Sequence, residues 1–234
     1  MAGKLYGLGV GPGDPELVTL KAKRIMEEAD FIAVPKTSRG KKSFALSIVE
    51  DILGPGKSVL ELVFPMSFDE ALLENSWNSA IEEIKKVLDE GKDIAFITLG
   101  DPTIYSTYMY VHKAVRRMGY PTEVVPGITS FCASASRAGI SLGENRETIA
   151  VIPSAYECEN LEEILDGFDN VVLMKVYRNM ERLGELLRRK GLDGNTLVVS
   201  KCGTDEEMVE FGLDNLDYSR LSYFTTVIVK KNGI

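Results

Sequence analysis

The sequence holds few of the residues that build disulfide frameworks or metal sites. Its three cysteines, Cys132, Cys158 and Cys202, are scattered and include no Cys-x-x-Cys pair, and its one histidine is His112. A disulfide framework and a structural zinc site are therefore not expected, and one histidine excludes a multi-histidine metal site within the chain. This cysteine usage suits a reducing compartment, so we expect a cytoplasmic protein without a bound metal ion.

Long apolar runs and an excess of positive charge are also missing. No run of about 18 uncharged apolar residues occurs, so no membrane span is predicted, and the N-terminus passes directly into a strand-like run instead of a signal peptide. The 27 Lys and Arg residues against 35 Asp and Glu residues give a net charge of −8. Nucleic-acid binding, which needs a basic face, is therefore not expected, and an anionic ligand would need a local basic patch.

What the sequence does contain is an alternation of strand-like and helix-like segments. In the first half the strand patterns lie at 5–10, 31–35, 58–63, 93–99 and 121–125, and the helical patterns at 16–29, 43–53, 71–90 and 107–118. In the second half the strand patterns lie at 148–152, 170–175, 196–199 and 223–230, with a helical pattern at 179–189. The alternation predicts α/β architecture, with a mostly parallel first sheet. The last two strand patterns lack a long helix between them, which favours an antiparallel edge and a mixed second sheet.

Gly and Pro cluster at 119–127, so we predict an N-terminal domain at 1–120 and a C-terminal domain at 121–234.

Three turns rich in glycine and proline follow strand-like runs, at 7–15, 99–106 and 125–130. Ligands of open α/β sheets bind beyond the carboxyl ends of strands, and glycine lets a ligand approach the backbone closely. The first turn is not a dinucleotide fingerprint, because a Gly-x-Gly-x-x-Gly frame ends on Pro12 or Asp14. Each turn alone is also typical of a plain bend or linker; together they predict a ligand site.

The order Gly-x-Gly-Pro-Gly-Asp, Gly-Asp-Pro and Pro-Gly-Ile-Thr-Ser resembles the tetrapyrrole methylase family over essentially the whole chain. The finer resemblance is to members that methylate C-20 of precorrin-2 or cobalt-factor II in cobalamin biosynthesis, and it rests on residues 34–36, 43–49, 64–66, 104–108, 173–177 and 223–227. The resemblance implies two α/β domains with S-adenosylmethionine, the methyl donor, in the cleft between them. It further implies that the first domain forms the trough for the tetrapyrrole, that the second completes the donor site, and that the protein is a homodimer.

The resemblance also implies which residues contact the donor. Carried over position by position, these are Pro12, Gly100, Asp101, Ile104, Thr129, Ser130 and Met174. The carboxylate and ammonium of the methionine part need both donors and acceptors, which turn backbones and a Thr-Ser pair supply. Simple core packing is the alternative for Met174, and the neighbouring Lys175 is an unusual residue for such a place.

The substrate implied by the resemblance carries many carboxylates, so positive charge is needed locally. The loop after the second strand holds Lys36, Arg39 and Lys42, which we interpret as a carboxylate clamp, with an ordinary solvated loop as the alternative. The sulfonium is already activated, so alignment is expected to do most of the catalytic work.

A base would still remove a proton, and the weak candidates for it are Tyr105, Tyr108 and Glu144, each of which also suits a structural role.

Two alternatives stay open at this point. One is another enzyme of the same fold, such as one that methylates a different precorrin carbon, diphthine synthase or the ribosomal-RNA 2′-O-ribose methylase type, although the acidic charge speaks against RNA. The other is a non-catalytic metabolite-binding module, which would bind the donor without turnover.

Overall fold

Two five-stranded sheets organise the chain, one in each half. The computed structural model describes residues 2–38, 40, 43–54, 56–65, 70–153 and 158–234, with only the backbone described at 70–73. The chain divides into two compact units, Met1–Thr129 and Ser130–Ile234. Within the described ranges, no helix combines the length and the apolar character that a bilayer crossing requires.

The first unit is built on a wholly parallel sheet with strand order β3-β2-β4-β1-β5. Its strands are β1 (Leu5–Gly9), β2 (Phe31–Lys36), β3 (Ser58–Val63), β4 (Ile94–Thr98) and β5 (Thr122–Val125). The central strands are short, apolar and buried, as parallel strands covered on both faces must be. Because all five strands run the same way, their carboxyl ends meet along one edge.

Helices cover both faces of this sheet. They are α1 (Leu20–Glu28), α2 (Phe44–Val49), α3 (Glu70–Asp89) and α4 (Tyr108–Arg117). Successive residues of a strand face opposite sides, and β4 shows the consequence. Ile97 packs in the cluster that includes α1 and α2, while Phe96 packs in the cluster that includes α3 and α4.

The second unit has a mixed sheet with strand order β6-β7-β10-β8-β9. Its strands are β6 (Ile149–Pro153), β7 (Asn170–Met174), β8 (Thr196–Ser200), β9 (Met208–Phe211) and β10 (Thr225–Lys230). Strands β6 and β7 are parallel, while β10 runs antiparallel to both β7 and β8. The carboxyl ends of β6, β7 and β8 therefore share an edge with the start of β10.

In the described part of this unit the α-helices beside the sheet are α5 (Ser130–Ala138), α6 (Leu161–Gly167) and α7 (Met180–Arg189). Leucines of α6 and α7, including Leu165 and Leu187, join the main core of the unit. Helix α5 contacts β10 and buries small residues, Ala133 and Ala135, which let a helix approach a sheet closely.

The α/β class, the parallel first sheet and the mixed second sheet are confirmed. The helix predicted at 16–29 differs, because Pro15–Leu17 forms a separate 3-10 turn and α1 begins after Thr19, whose hydroxyl caps Ala22 N at 3.1 Å. Strand β5, assigned from the sequence to the second domain, pairs with β1, and the first unit extends to Thr129.

Candidate functional site

The three glycine- and proline-rich turns of the sequence meet at the carboxyl edge of the first sheet. Strands β4, β1 and β5 are neighbours, so the turns that follow them start side by side. Val10 N donates to Thr98 O at 3.0 Å, and Gly100 N donates to Gly11 O at 2.8 Å. The first two turns are thus joined by backbone hydrogen bonds.

Glycine is required where the three turns touch. A Cβ on Gly9 would lie 2.5 Å from both the Gly100 oxygen and the Gly127 Cα, and a Cβ on Gly127 would lie 2.2 Å from the same oxygen. Gly100 also has φ +67°, in the left-handed region that glycine adopts without strain. Backbone therefore packs directly on backbone where the three turns meet, and no side chain fits at Gly9 or Gly127.

Asp101 links the second turn to the third. Its Oδ2 accepts a hydrogen bond from Gly127 N at 3.0 Å, and its Oδ1 accepts from Thr103 N at 2.7 Å and Thr103 Oγ1 at 2.5 Å. The side chain is 8% exposed. Both carboxylate oxygens thus accept hydrogen bonds within the protein, and Asp101 holds the second and third turns together.

Thr129, at the end of the third turn, carries a polar atom for which the described residues offer no partner. Its Oγ1 is buried, and no hydrogen-bonding group among the described residues reaches it. Pro12 is buried and Ile104 half-buried at the same edge of the unit. A buried hydroxyl without a partner costs free energy, and a ligand with donor and acceptor groups would satisfy it. The edge therefore fits the polar methionine part of adenosylmethionine.

Tyr105 projects from the second turn on a constrained backbone. It has φ +51° and is 51% exposed. The chain is held beside it, because Ser106 Oγ lies 2.9 Å from Thr98 Oγ1 and accepts a hydrogen bond from Tyr108 N at 3.1 Å. Tyr105 is thus presented at the edge where the turns meet.

Tyr108 has a different place, inside the core. Its side chain is fully buried, and its ring fills the space that a Cβ on Gly7 would occupy, 2.0 Å from that position. Its hydroxyl lies 3.3 Å from His112 Nδ1 and donates to Glu123 O at 3.2 Å. Burial raises the pKa of this phenol well above its usual value. These features describe a packing residue better than a proton acceptor.

In the second unit, Thr226 lies beside both Ser130 and Met174. Thr226 at the start of β10 pairs with Met174 at the end of β7, and Thr226 Oγ1 donates to Ser130 Oγ at 3.3 Å. Met174 is half-buried there. Both residues therefore lie at the carboxyl edge of β7, the position at which α/β sheets bind ligands.

The residue after Met174 was not expected to have such a backbone. Lys175 has φ +59°, and its Nζ lies 5.6 Å from the centroid of the Tyr223 ring. The left-handed conformation costs a residue with a Cβ about 1–2 kcal/mol. Tyr223 in turn packs edge-on against Tyr177 and Phe224, with centroid distances of 6.3 and 5.5 Å. From the sequence, Lys175 is an unusual residue at this position, but nothing in the sequence predicts its left-handed backbone conformation.

Glu144 lies at the opposite edge of the second sheet. Its backbone N donates to Glu147 Oε2 at 3.0 Å, and the same oxygen accepts from Asn170 Nδ2 at 2.9 Å. Asn170 begins β7 and Met174 ends it, so about 13 Å of strand separates the two places. The structure therefore does not bring Glu144 to the edge that holds Met174.

The predicted carboxylate clamp is represented in the described residues by Lys36 alone. The Lys36 ammonium is paired with the Glu61 carboxylate, and its side chain is 9% exposed. Arg39 and Lys42 lie outside the described residues. Lys36 is consequently neutralised by its own unit.

Comparison with known proteins gives a consistent set of relatives. The family model for Tetrapyrrole (Corrin/Porphyrin) Methylases matches residues 4–217. A Methanocaldococcus jannaschii protein named "Probable cobalt-precorrin-2 C(20)-methyltransferase" is 38% identical over 231 residues, which cover 97% of this chain and 96% of that protein. The cobalt-precorrin-2 C(20)-methyltransferase of Salmonella typhimurium is 38% identical over 234 residues, covering 99% and 98%.

A solved structure shares the fold. Uroporphyrin-III C-methyl transferase from Thermus thermophilus, complexed with S-adenyl homocysteine, matches with a TM-score of 0.69 at 22% identity. The match covers 98% of each chain.

Proposed function

Because this chain belongs to the tetrapyrrole methylase family, we propose that it is the S-adenosylmethionine-dependent methyltransferase that acts on C-20 of precorrin-2 in cobalamin biosynthesis. The observation that carries the assignment is the near full-length similarity to two C(20)-methyltransferases, on a fold whose glycine turns meet at one edge. Both of these relatives are named for the cobalt-containing substrate, so we propose the cobalt form as the preferred one.

The donor site of the first unit is proposed from the edge already described. The unsatisfied Thr129 hydroxyl and the peptide groups around Gly100 would bind the donor, with Pro12 and Ile104 as apolar contacts. Asp101 keeps the second and third turns at the right separation. Ser130 and Met174, which both adjoin Thr226 in the second unit, are proposed as donor contacts on the family resemblance.

The reaction asks the protein chiefly for position. Bound adenosylmethionine supplies an electrophilic methyl group on a sulfonium, so the protein needs no strong nucleophile of its own. Holding the reacting carbon in line with that methyl group is worth roughly 7–11 kcal/mol in well-aligned systems. The glycine contacts at Gly9 and Gly127 and the Asp101 link provide a rigid edge for this alignment.

Loss of the C-20 proton calls for an acceptor, and Tyr105 is proposed as the relay: its hydroxyl oxygen takes this proton while its own proton passes to solvent. It is exposed at the edge of the first sheet, whereas Tyr108 is buried and Glu144 lies at the far edge of the second sheet. Tyr105→Phe is expected to lower kcat while leaving the affinity for the donor product unchanged. An unchanged kcat in this variant would contradict the proposal. It would mean that the proton passes directly to solvent or to a group of the substrate, and not through Tyr105.

Arg39 and Lys42 remain proposed ligands of substrate carboxylates, since Lys36 is already paired. Replacing both with alanine is expected to raise the KM for the tetrapyrrole and to spare donor binding. An unchanged KM would remove these two residues from the substrate site.

The decisive experiment compares precorrin-2 with its cobalt form as methyl acceptor. Mass spectrometry detects the added methyl group, and carbon NMR with labelled methyl donor locates it. Methylation at another carbon would assign the chain to a different step. Donor binding without turnover of either acceptor would favour a non-catalytic binding module.

We further propose that the enzyme is a homodimer, as the family resemblance implies, and that it is cytoplasmic, which its scattered cysteines suit. Light scattering on the purified protein gives its mass directly. A mass of 25.8 kDa, that of one chain, would contradict the dimer.

A further inference from the structure

Backbone strain is unevenly distributed in this protein. Among the described residues, four other than glycine have positive φ: Tyr105, Asn145, Lys175 and Lys201. Asparagine is enriched in this region, whereas lysine and tyrosine adopt it only rarely. Lys175 and Lys201 directly follow β7 and β8, at the ligand-binding edge of the second sheet. Strained residues that persist at such an edge are candidates for a role in binding.

The two lysines differ in what their ammonium groups contact. Lys201 is paired with the Glu206 carboxylate of its own loop. Lys175, half-buried, has no carboxylate within salt-bridge distance among the described residues, and its Nζ lies over the Tyr223 ring. The chain carries a net charge of −8, yet no described carboxylate pairs with the Lys175 ammonium.

We propose that Lys175 binds a carboxylate of the tetrapyrrole and so helps to determine which substrates are accepted. The proposal rests on the proposed function, which makes the substrate a polycarboxylate. The aromatic ring of Tyr223 carries no charge, so this contact positions the ammonium without neutralising it, and within the described residues no carboxylate pairs with it. Glycine would adopt this backbone freely, and the presence of lysine instead indicates that its side chain is needed.

The test replaces Lys175 by methionine, which keeps the length and removes the charge, and by arginine, which keeps the charge. Lys201→Met is the matched control, because Lys201 has the same backbone conformation and a satisfied charge. Lys175→Met is expected to raise the KM for the tetrapyrrole about tenfold, and Lys175→Arg to restore most of the loss. Lys175→Met and Lys175→Arg should each bind S-adenosylhomocysteine with an affinity within about twofold of wild type, as measured by calorimetry.

Lys175→Gly separates binding from folding. Glycine removes the strain, so the Tm should stay within about 2 °C of wild type or rise, while the KM rises as in Lys175→Met. The wild-type KM should also increase with salt more steeply than the KM of Lys175→Met, because one screened charge pair is missing from the variant. A lower Tm with an unchanged KM would assign Lys175 a purely structural role and overturn the proposal.

Failure of the proposed function would be recognised separately. If wild-type protein binds S-adenosylhomocysteine but methylates neither acceptor, the enzymatic assignment falls. Lys175 is then tested with uroporphyrin, a stable tetrapyrrole polycarboxylate, by fluorescence titration. Weaker binding by Lys175→Met than by Lys201→Met would support the carboxylate contact, and equal binding would overturn it.

Discussion

Replacing Asp101 with asparagine tests whether the second and third turns are held together by this one side chain. The carboxylate accepts three hydrogen bonds, two from Thr103 and one from Gly127 N. An asparagine side chain has one oxygen and one NH2 group. Whichever way it is turned, its NH2 group faces a backbone N–H, either that of Gly127 or that of Thr103.

The variant therefore loses at least one hydrogen bond to a charged acceptor and leaves a donor unsatisfied. Asp101 is 8% exposed, so water cannot readily replace the lost partner. Hydrogen bonds to charged groups contribute about 1.5–3 kcal/mol each. We expect a loss of about 2–3 kcal/mol in the free energy of unfolding, or about 4–12 °C in Tm.

Asp217 provides a matched control for this experiment. It makes the same local turn, accepting hydrogen bonds from Ser219 N at 3.0 Å and Ser219 Oγ at 2.6 Å, but it is exposed. Asp217→Asn is expected to change the free energy of unfolding by about 0.5 kcal/mol or less. Calorimetry with S-adenosylhomocysteine should show weakened binding only for Asp101→Asn.

Two results would refute this reasoning. Equal destabilisation by Asp101→Asn and Asp217→Asn would mean that the contact to Gly127 contributes nothing. Weakened binding with an unchanged Tm would mean that Asp101 contacts the ligand directly instead of positioning the turns.

Further predictions concern packing and pH. Gly9→Ala should lower both the stability of the protein and its affinity for the donor, because the added Cβ would lie 2.5 Å from backbone atoms. Gly54→Ala is the control and should lower neither, because its Cβ meets open space. Equal Tm values for the two variants would contradict this. The Lys21 and Lys4 ammonium groups lower the pKa of Glu123 to about 2. The loss in free energy of unfolding caused by Glu123→Gln should therefore have its full size above pH 4.5 and become smaller as the pH falls towards 2. Urea midpoints across that range measure this, and a constant difference would contradict it. Tyr108→Phe should cost about 1 kcal/mol of stability and leave kcat unchanged, and a large fall in kcat would return Tyr108 to the list of bases.

The strand pattern was readable from the sequence because buried parallel strands are short, apolar and ended by glycine or proline. Ser58–Val63 has the predicted bounds, and Leu5–Gly9 differs by one residue. Helix α5 was missed, since the serine- and alanine-rich segment Ser130–Ala138 lacks large apolar residues at helical spacing. It is helical because its small residues pack on β10. The four-residue strand β9 was missed because it is too short to show a strand pattern of its own. Only its pairing with β8 identifies it as a strand.

The candidate site was readable in part. The turns were identified from composition, and their position follows from the parallel order of β4, β1 and β5. Contacts between distant residues were not readable. The pairing of Lys36 with Glu61 and the burial of Tyr108 behind Gly7 depend on which strands and helices become neighbours.

The sequence by itself determined the α/β class, the glycine turns and the family, because these depend on local spacing and on motifs in a particular order. Tertiary structure alone decided which polar groups were satisfied and which were left available. Asp101 became a link between turns, and Lys175 an ammonium without a carboxylate partner among the described residues. The physical reason is that the state of a charge or hydroxyl depends on its neighbours in space, which the order of residues along the chain does not specify.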